Sequence, residues 1–287
     1  MAGSGLGTAR GDDRVLPATR VVAVAIVPFL LVAFAVLYPW PGAAGRIFAW
    51  PIKPTITAMV LGSVYLGGAY FFVRVAIAKQ WHTVKGGFVP VGIFATLMGV
   101  ATVVHWDRFN HARPAFWLWA GLYFSTPFLI FWVWWVNRRH DAAAGDGEVV
   151  VPASAARLIG VFGGLAGLTG LVLFLFPGWA AAIWPWTLSP LTARVLGAIF
   201  CLGTAGLGAL VDRRWSSARV MFQVAALMLA LILLAGIRAY REFAPANPLT
   251  WLFVTGFAGI LAALATLYLR MPARQLPALG EVGRETA

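Results

Sequence analysis

Cysteine is nearly absent from this chain: Cys201 stands alone among 287 residues, in the middle of an apolar run. A single thiol excludes an intrachain disulfide and a thiolate-rich metal site. Acids are scarce as well. There are ten, and none falls in the central part of an apolar run. Ion-driven carriers place ionisable groups at depth in the membrane, because the coupling ion needs a partner there. Their absence weighs against ion-coupled transport. The chain also lacks an HExxH pair, a phosphate-cradling loop and a GxSxG elbow, so no enzyme signature stands out.

What the chain has in quantity is apolar. Hydrophobic residues make up 61% and charged residues 11%, with a mean hydropathy of +0.82. That composition excludes an ordinary soluble domain. Apolar runs long enough to cross a bilayer core lie at roughly 21–39, 55–78, 88–105, 115–136, 157–176, 191–211, 218–237 and 250–269. They show no period-two alternation, and backbone in lipid must satisfy its own hydrogen bonds, so they are expected to be helices. Residues 1–20 carry arginines ahead of an apolar run, as a signal peptide does. That run has a counterpart in the second half, which argues that it is retained.

The net charge of +12 follows a topological pattern. With eight spans and an inside N-terminus, Lys and Arg divide 15 to 7 in favour of the inner connections and tails. This is the asymmetry that orients membrane proteins, here with both termini cytoplasmic. No nucleic-acid module accompanies the charge, so nucleic acid is not an expected partner.

Short phrases recur in order. "FNHARPAFWL" from Phe109 returns 134 positions later as "FAPANPLTWL" from Phe243, and "TAMVLG" from Thr57 returns as "TARVLG" from Thr192. "LYP" ending at Pro39 answers "LFP" ending at Pro177, and Trp50–Pro51 answers Trp184–Pro185. Ordered matches with slowly drifting offsets are the mark of an internal duplication. Each unit holds an even number of spans, so the units enter the membrane in the same direction. The expected fold class is therefore all-α transmembrane, with eight helices in two parallel four-helix repeats. Its divisions are a cytoplasmic tail 1–20, repeats 21–136 and 157–270, a cytoplasmic linker 137–156 and a tail 271–287.

In that topology the matched phrases gather at the outer face with nine of the fourteen tryptophans. An aromatic belt at headgroup level accounts for many of them. The sharper expectation is a pair of apolar grooves for a hydrophobic or lipid-like ligand, walled by Trp50, Trp117, Trp184 and Trp251. Arg194 replaces Met59 of the first unit and stands ready for an anionic headgroup. Aligning Phe109 with Phe243 sets Asp107 against Arg241 and Arg108 against Glu242 with signs exchanged, which suggests a latch between the repeats. His105, Asp107 and His111 form an H-x-D-x3-H cluster with ligand types that zinc or copper accepts. It lacks a fourth ligand and has no counterpart in the second unit. No cofactor is expected; membrane lipids and a membrane protein are the expected partners.

The phrases "WPIKPTITAMVLG" and "HWDRF" resemble those of uncharacterised polytopic membrane proteins of actinobacteria. The resemblance implies a multi-pass membrane protein and carries no activity or site residue with it. The reading that remains is a non-enzymatic carrier or binder of a lipid-like ligand. Its alternatives are an accessory subunit of a membrane complex and an enzyme acting on a lipid-linked substrate through the His105–Asp107–His111 turn.

Overall fold

The computed structural model describes residues 12–144 and 148–271; most of the N-terminal tail, nearly all of the C-terminal tail and three linker positions lie outside them. Among the described residues there is no extended strand, and eight helices are long and apolar enough to cross a membrane. We label them α1 (Pro17–Leu37), α2 (Thr55–Ile77), α3 (Phe88–Val104), α4 (Pro114–Asn137), α5 (Ala153–Leu175), α6 (from Pro190), α7 (Trp215–Arg238) and α8 (Pro248–Arg270). Helix α6 is α-helical to Cys201, tightens to a 3₁₀ stretch at Leu202–Leu207 and ends at Val211.

Start signals are local. Proline occupies the first helical position of α1, α4, α6 and α8, where its missing N–H costs nothing and its fixed φ suits the helix. Ser189 caps α6 by accepting from the Thr192 N–H at 3.2 Å, and Asn247 caps α8 by accepting from the Leu249 N–H at 2.9 Å. Such caps answer backbone donors that the helix itself cannot.

The packing order is regular. Helix α1 lies on α2 and α5 on α6; α3 lies on α4 and α7 on α8; between the halves, α2 lies on α7 and α6 on α3. In lipid there is little hydrophobic drive between helices, so close approach of small residues matters more. The glycine ending "TARVLG" shows this. A Cβ on Gly197 would stand 2.7 Å from the Gly170 carbonyl oxygen and 2.8 Å from the Phe174 nitrogen. Gly62, which ends "TAMVLG", presses against Leu37 and Tyr38 in the same manner.

At the end where α1 begins, polar groups tie the segments together. The fully buried Asn137 accepts from the Leu16 N–H at 3.0 Å and the Thr19 hydroxyl at 2.7 Å, and donates to the Arg14 carbonyl at 2.9 Å. The chain before α1 pairs with the α2–α3 turn through an Arg14–Gln80 bridge, and the chain before α5 pairs with the α6–α7 turn through Val150–Arg214. Buried His82 links Asp13 (2.5 Å) to Ser216 (3.1 Å). That order of groups is the order of a nucleophilic relay, but the cavities described below open at the other end. Here the three side chains clasp the start of α1 to the α2–α3 turn and α7.

Candidate functional site

The other end of the bundle gathers most of the tryptophans. Two ring clusters form there with closely similar geometry. Trp50 meets Phe109 edge-on at 5.2 Å and Trp119 at 4.7 Å. Trp186 meets Phe243 at 5.3 Å and Phe253 at 5.2 Å, again edge-on. Edge-to-face rings at these separations add to simple burial.

These contacts correct one correspondence drawn from the sequence. Trp186, not Trp184, makes ring contacts like those of Trp50, and Trp184 stands edge-on to Trp186 as Phe48 does to Trp50. Arg113 donates to the Gly45 and Phe48 carbonyls, while Asn247 donates to those of Ile183 and Trp184. A seven-residue helical stretch precedes each of them, Pro41–Ala43 running on into Ala44–Ile47 before Phe48 and Pro177–Ile183 before Trp184. The Trp–Pro identity is two residues out of structural register.

Trp117 and Trp251 are both exposed, with indole N–H groups donating to the His111 and Pro245 carbonyls at 2.9 and 3.1 Å. Their indoles stand on the rim of the bundle, outside the residues that line the two cavities described next.

Two cavities open here. The first, about 270 Å³, is lined by Trp50, Pro51, His105, Arg108, Ser189, Pro190 and Leu191. The second, about 300 Å³, is lined by Trp184, Trp186, Glu242 and Phe243, among others. Arg194 does not line the first cavity but reaches its wall, donating to His105 Nε2 at 2.7 Å. A guanidinium has only donors, so Nε2 is the acceptor and the ring proton sits on Nδ1. Burial lowers the His105 pKa, and the neighbouring Arg194 charge lowers it further. His105 is thus held as a neutral imidazole.

The four charges expected to latch the halves have other partners. Asp107 pairs with its neighbour Arg108 at 3.2 Å, both largely exposed, and Arg241 donates to the Tyr240 hydroxyl at 2.9 Å. Glu242 accepts from the Thr55 N–H (3.1 Å), the Thr55 hydroxyl (2.6 Å) and the Ile56 N–H (2.8 Å). The 3₁₀ turns Trp106–Arg108 and Tyr240–Glu242 therefore do not face each other. Each addresses the N-terminus of the second helix of the opposite half: Glu242 caps α2, and Arg108 shares a cavity with the start of α6.

The halves are joined at this end by further bonds that the sequence did not single out. Trp186 donates to the Thr57 hydroxyl at 2.9 Å, Tyr38 to the Leu231 carbonyl at 2.8 Å and Arg238 to the Tyr38 carbonyl at 2.8 Å.

The histidine cluster does not converge. His105 faces a guanidinium, Asp107 pairs with Arg108, and His111 stacks on Trp106 at 5.1 Å. Among the described residues no group of three or more His, Cys, Asp or Glu side chains is placed to hold a metal ion. A cation bound at His105 Nε2 would first have to displace the Arg194 charge.

Comparison with protein-family models, curated proteins and solved structures finds no match to this chain.

Proposed function

We propose that the chain is a multi-pass membrane protein of two parallel four-helix units that binds or carries a hydrophobic, lipid-like ligand at its extracytoplasmic face. The observation that carries this reading is the pair of tryptophan-walled cavities at one end of the bundle. A concave, mostly apolar surface with a few polar groups is what a ligand of that class needs.

The two-unit architecture draws support from the packing order, from the paired bridges before α1 and α5 and from the ring clusters. With Trp186 set against Trp50, the sequence offsets of the matched segments run 138, 136, 135 and 134 without reversal. The excess of Lys and Arg near the opposite end supports an N-inside, C-inside orientation in a bacterial plasma membrane.

A photoreactive lipid analogue added to the protein in membranes tests the ligand reading. Labelling should concentrate on 41–54, 177–191 and 240–246. Even labelling around the whole perimeter contradicts it.

One observation favours an accessory-subunit role as the second reading. The most apolar stretch of α8 has none of its residues buried, which leaves a full helix face open to a partner helix. Co-purification of a stoichiometric membrane polypeptide that cross-links to α8 would favour that role.

A further inference from the structure

We propose that the cavity framed by Trp50, His105, Arg108 and the N-terminus of α6 binds a single oxyanionic group, a carboxylate or a phosphate. This deepens the ligand reading and rests on it only where the oxyanion belongs to a lipid.

The matching place in the other half already holds a carboxylate. The first residues of α2 present two N–H groups and a hydroxyl, and the Glu242 carboxylate fills that position. At the offset of 135 Thr55 corresponds to Pro190 and Ile56 to Leu191, so the start of α6 keeps one of those three donors, the Leu191 N–H, and the residue corresponding to Glu242 is Arg108. There the chain supplies no carboxylate. It supplies a cation and leaves a cavity of about 270 Å³, far more than the ~30 Å³ share of a water molecule.

Every strong polar feature of that cavity favours negative charge. The N-terminus of α6 carries the positive end of the helix dipole. Arg108 lines the wall, and Arg194 fixes His105 so that its Nδ1 is a donor. Trp50 also lines the cavity, is 2% exposed, and its indole N–H has no partner. A buried donor without an acceptor is costly and calls for one. Its counterpart Trp186 has one, the Thr57 hydroxyl, whereas the Thr192 hydroxyl that corresponds to Thr57 is taken by the Ser189 capping box. None of the residues that line the cavity is an acid; Asp107 stands next to it as the partner of Arg108. Its pair with Arg108 is largely exposed, so it is screened and easily exchanged for a bound anion.

The test uses the full chain in nanodiscs, in two arms. In the first, phosphatidylcholine discs contain a minority of phosphatidylglycerol, and lipid retained by the released protein is identified by mass spectrometry. In the second, discs of phosphatidylcholine alone are dialysed against radiolabelled inorganic phosphate. Wild type should hold one phosphatidylglycerol in preference to phosphatidylcholine, or bind phosphate saturably. Arg108→Gln and Trp50→Phe should each weaken that binding about tenfold, the equivalent of one charge-assisted hydrogen bond. Arg108 is exposed, so its variant folds even where Trp50→Phe disturbs the ring cluster. Phosphate binding with no lipid retained supports the oxyanion site and removes the lipid-ligand reading. Lipid retention without headgroup preference, unchanged in both variants, overturns the oxyanion site and leaves the lipid reading standing. Neither lipid nor phosphate overturns both.

Discussion

The first four helices and the last four follow the same order but are not equally closed. In the most apolar stretch of α2, 78% of residues are buried, against 39% in α6; for α4 and α8 the values are 39% and 0%. The two halves also differ at the end of their fourth helices. Asn137 ends α4 and bonds to the start of α1 three times, and α1 also lies along α4. The residue 134 positions later is Met271, which has no side-chain hydrogen bond to offer. Asn137 thus seals the end of α4 to the start of α1, and Met271 makes no such bond. The two tryptophan-rich turns differ as well: the Glu242 carboxylate caps one helix start, whereas the other is capped by its own Ser189 and has Arg108 on the wall of the cavity beside it.

Breaking the seal should have the largest effect. Asn137→Ala leaves a buried hydroxyl, N–H and carbonyl without partners and should cost about 3 kcal/mol of stability, seen as a lower Tm of the purified protein. Met271→Ala should change little. Next comes the glycine contact between α5 and α6. A Cβ at Gly170 already meets the Gly197 oxygen at 2.6 Å, so Gly170→Val should cost about 2 kcal/mol by overpacking. Gly121 and Gly178 have nothing within 4 Å, and alanine there should be tolerated. Glu242→Gln should cost about 1 kcal/mol by weakening the cap on α2, whereas Arg108→Gln should leave Tm nearly unchanged.

The smallest and most gradual effect is on pH. Burial alone would raise the Asp212 carboxyl, but hydrogen bonds from Arg214 and Lys85 outweigh it and hold the group well below its ordinary 3.8. A carboxyl lowered in the folded state contributes stability above its unfolded pKa, and that contribution fades as the pH falls. Thermal stability should therefore decline as the pH drops below about 4, and the decline should be shallower in Asp212→Asn.

The spans were legible because the membrane demands long apolar runs. The run at 115–136 became Pro114–Asn137, and the one at 191–211 became Pro190–Val211. The ends were less legible where capping decides: α1 begins at Pro17 and stops at Leu37, before Pro39. Arg194 was legible as a residue exchanged for Met59, but its partner His105, 89 positions away, was not. Charge exchange between the two turns was visible in the sequence, and it suggested side-chain pairs. It did not reveal that each turn faces a helix N-terminus, because backbone donors leave no trace in residue identity. Trp186 was missed because the Trp–Pro identity drew attention to Trp184, and ring contacts are invisible to matched letters.

The most direct test of the central claim is native mass spectrometry of the full chain, extracted gently in its own lipids. The account predicts one hydrophobic molecule retained per chain, with retention reduced when Trp184 and Trp186 are both replaced by alanine. A spectrum free of any such molecule, with or without a second polypeptide attached, would contradict the claim that the tryptophan-rich face holds a ligand.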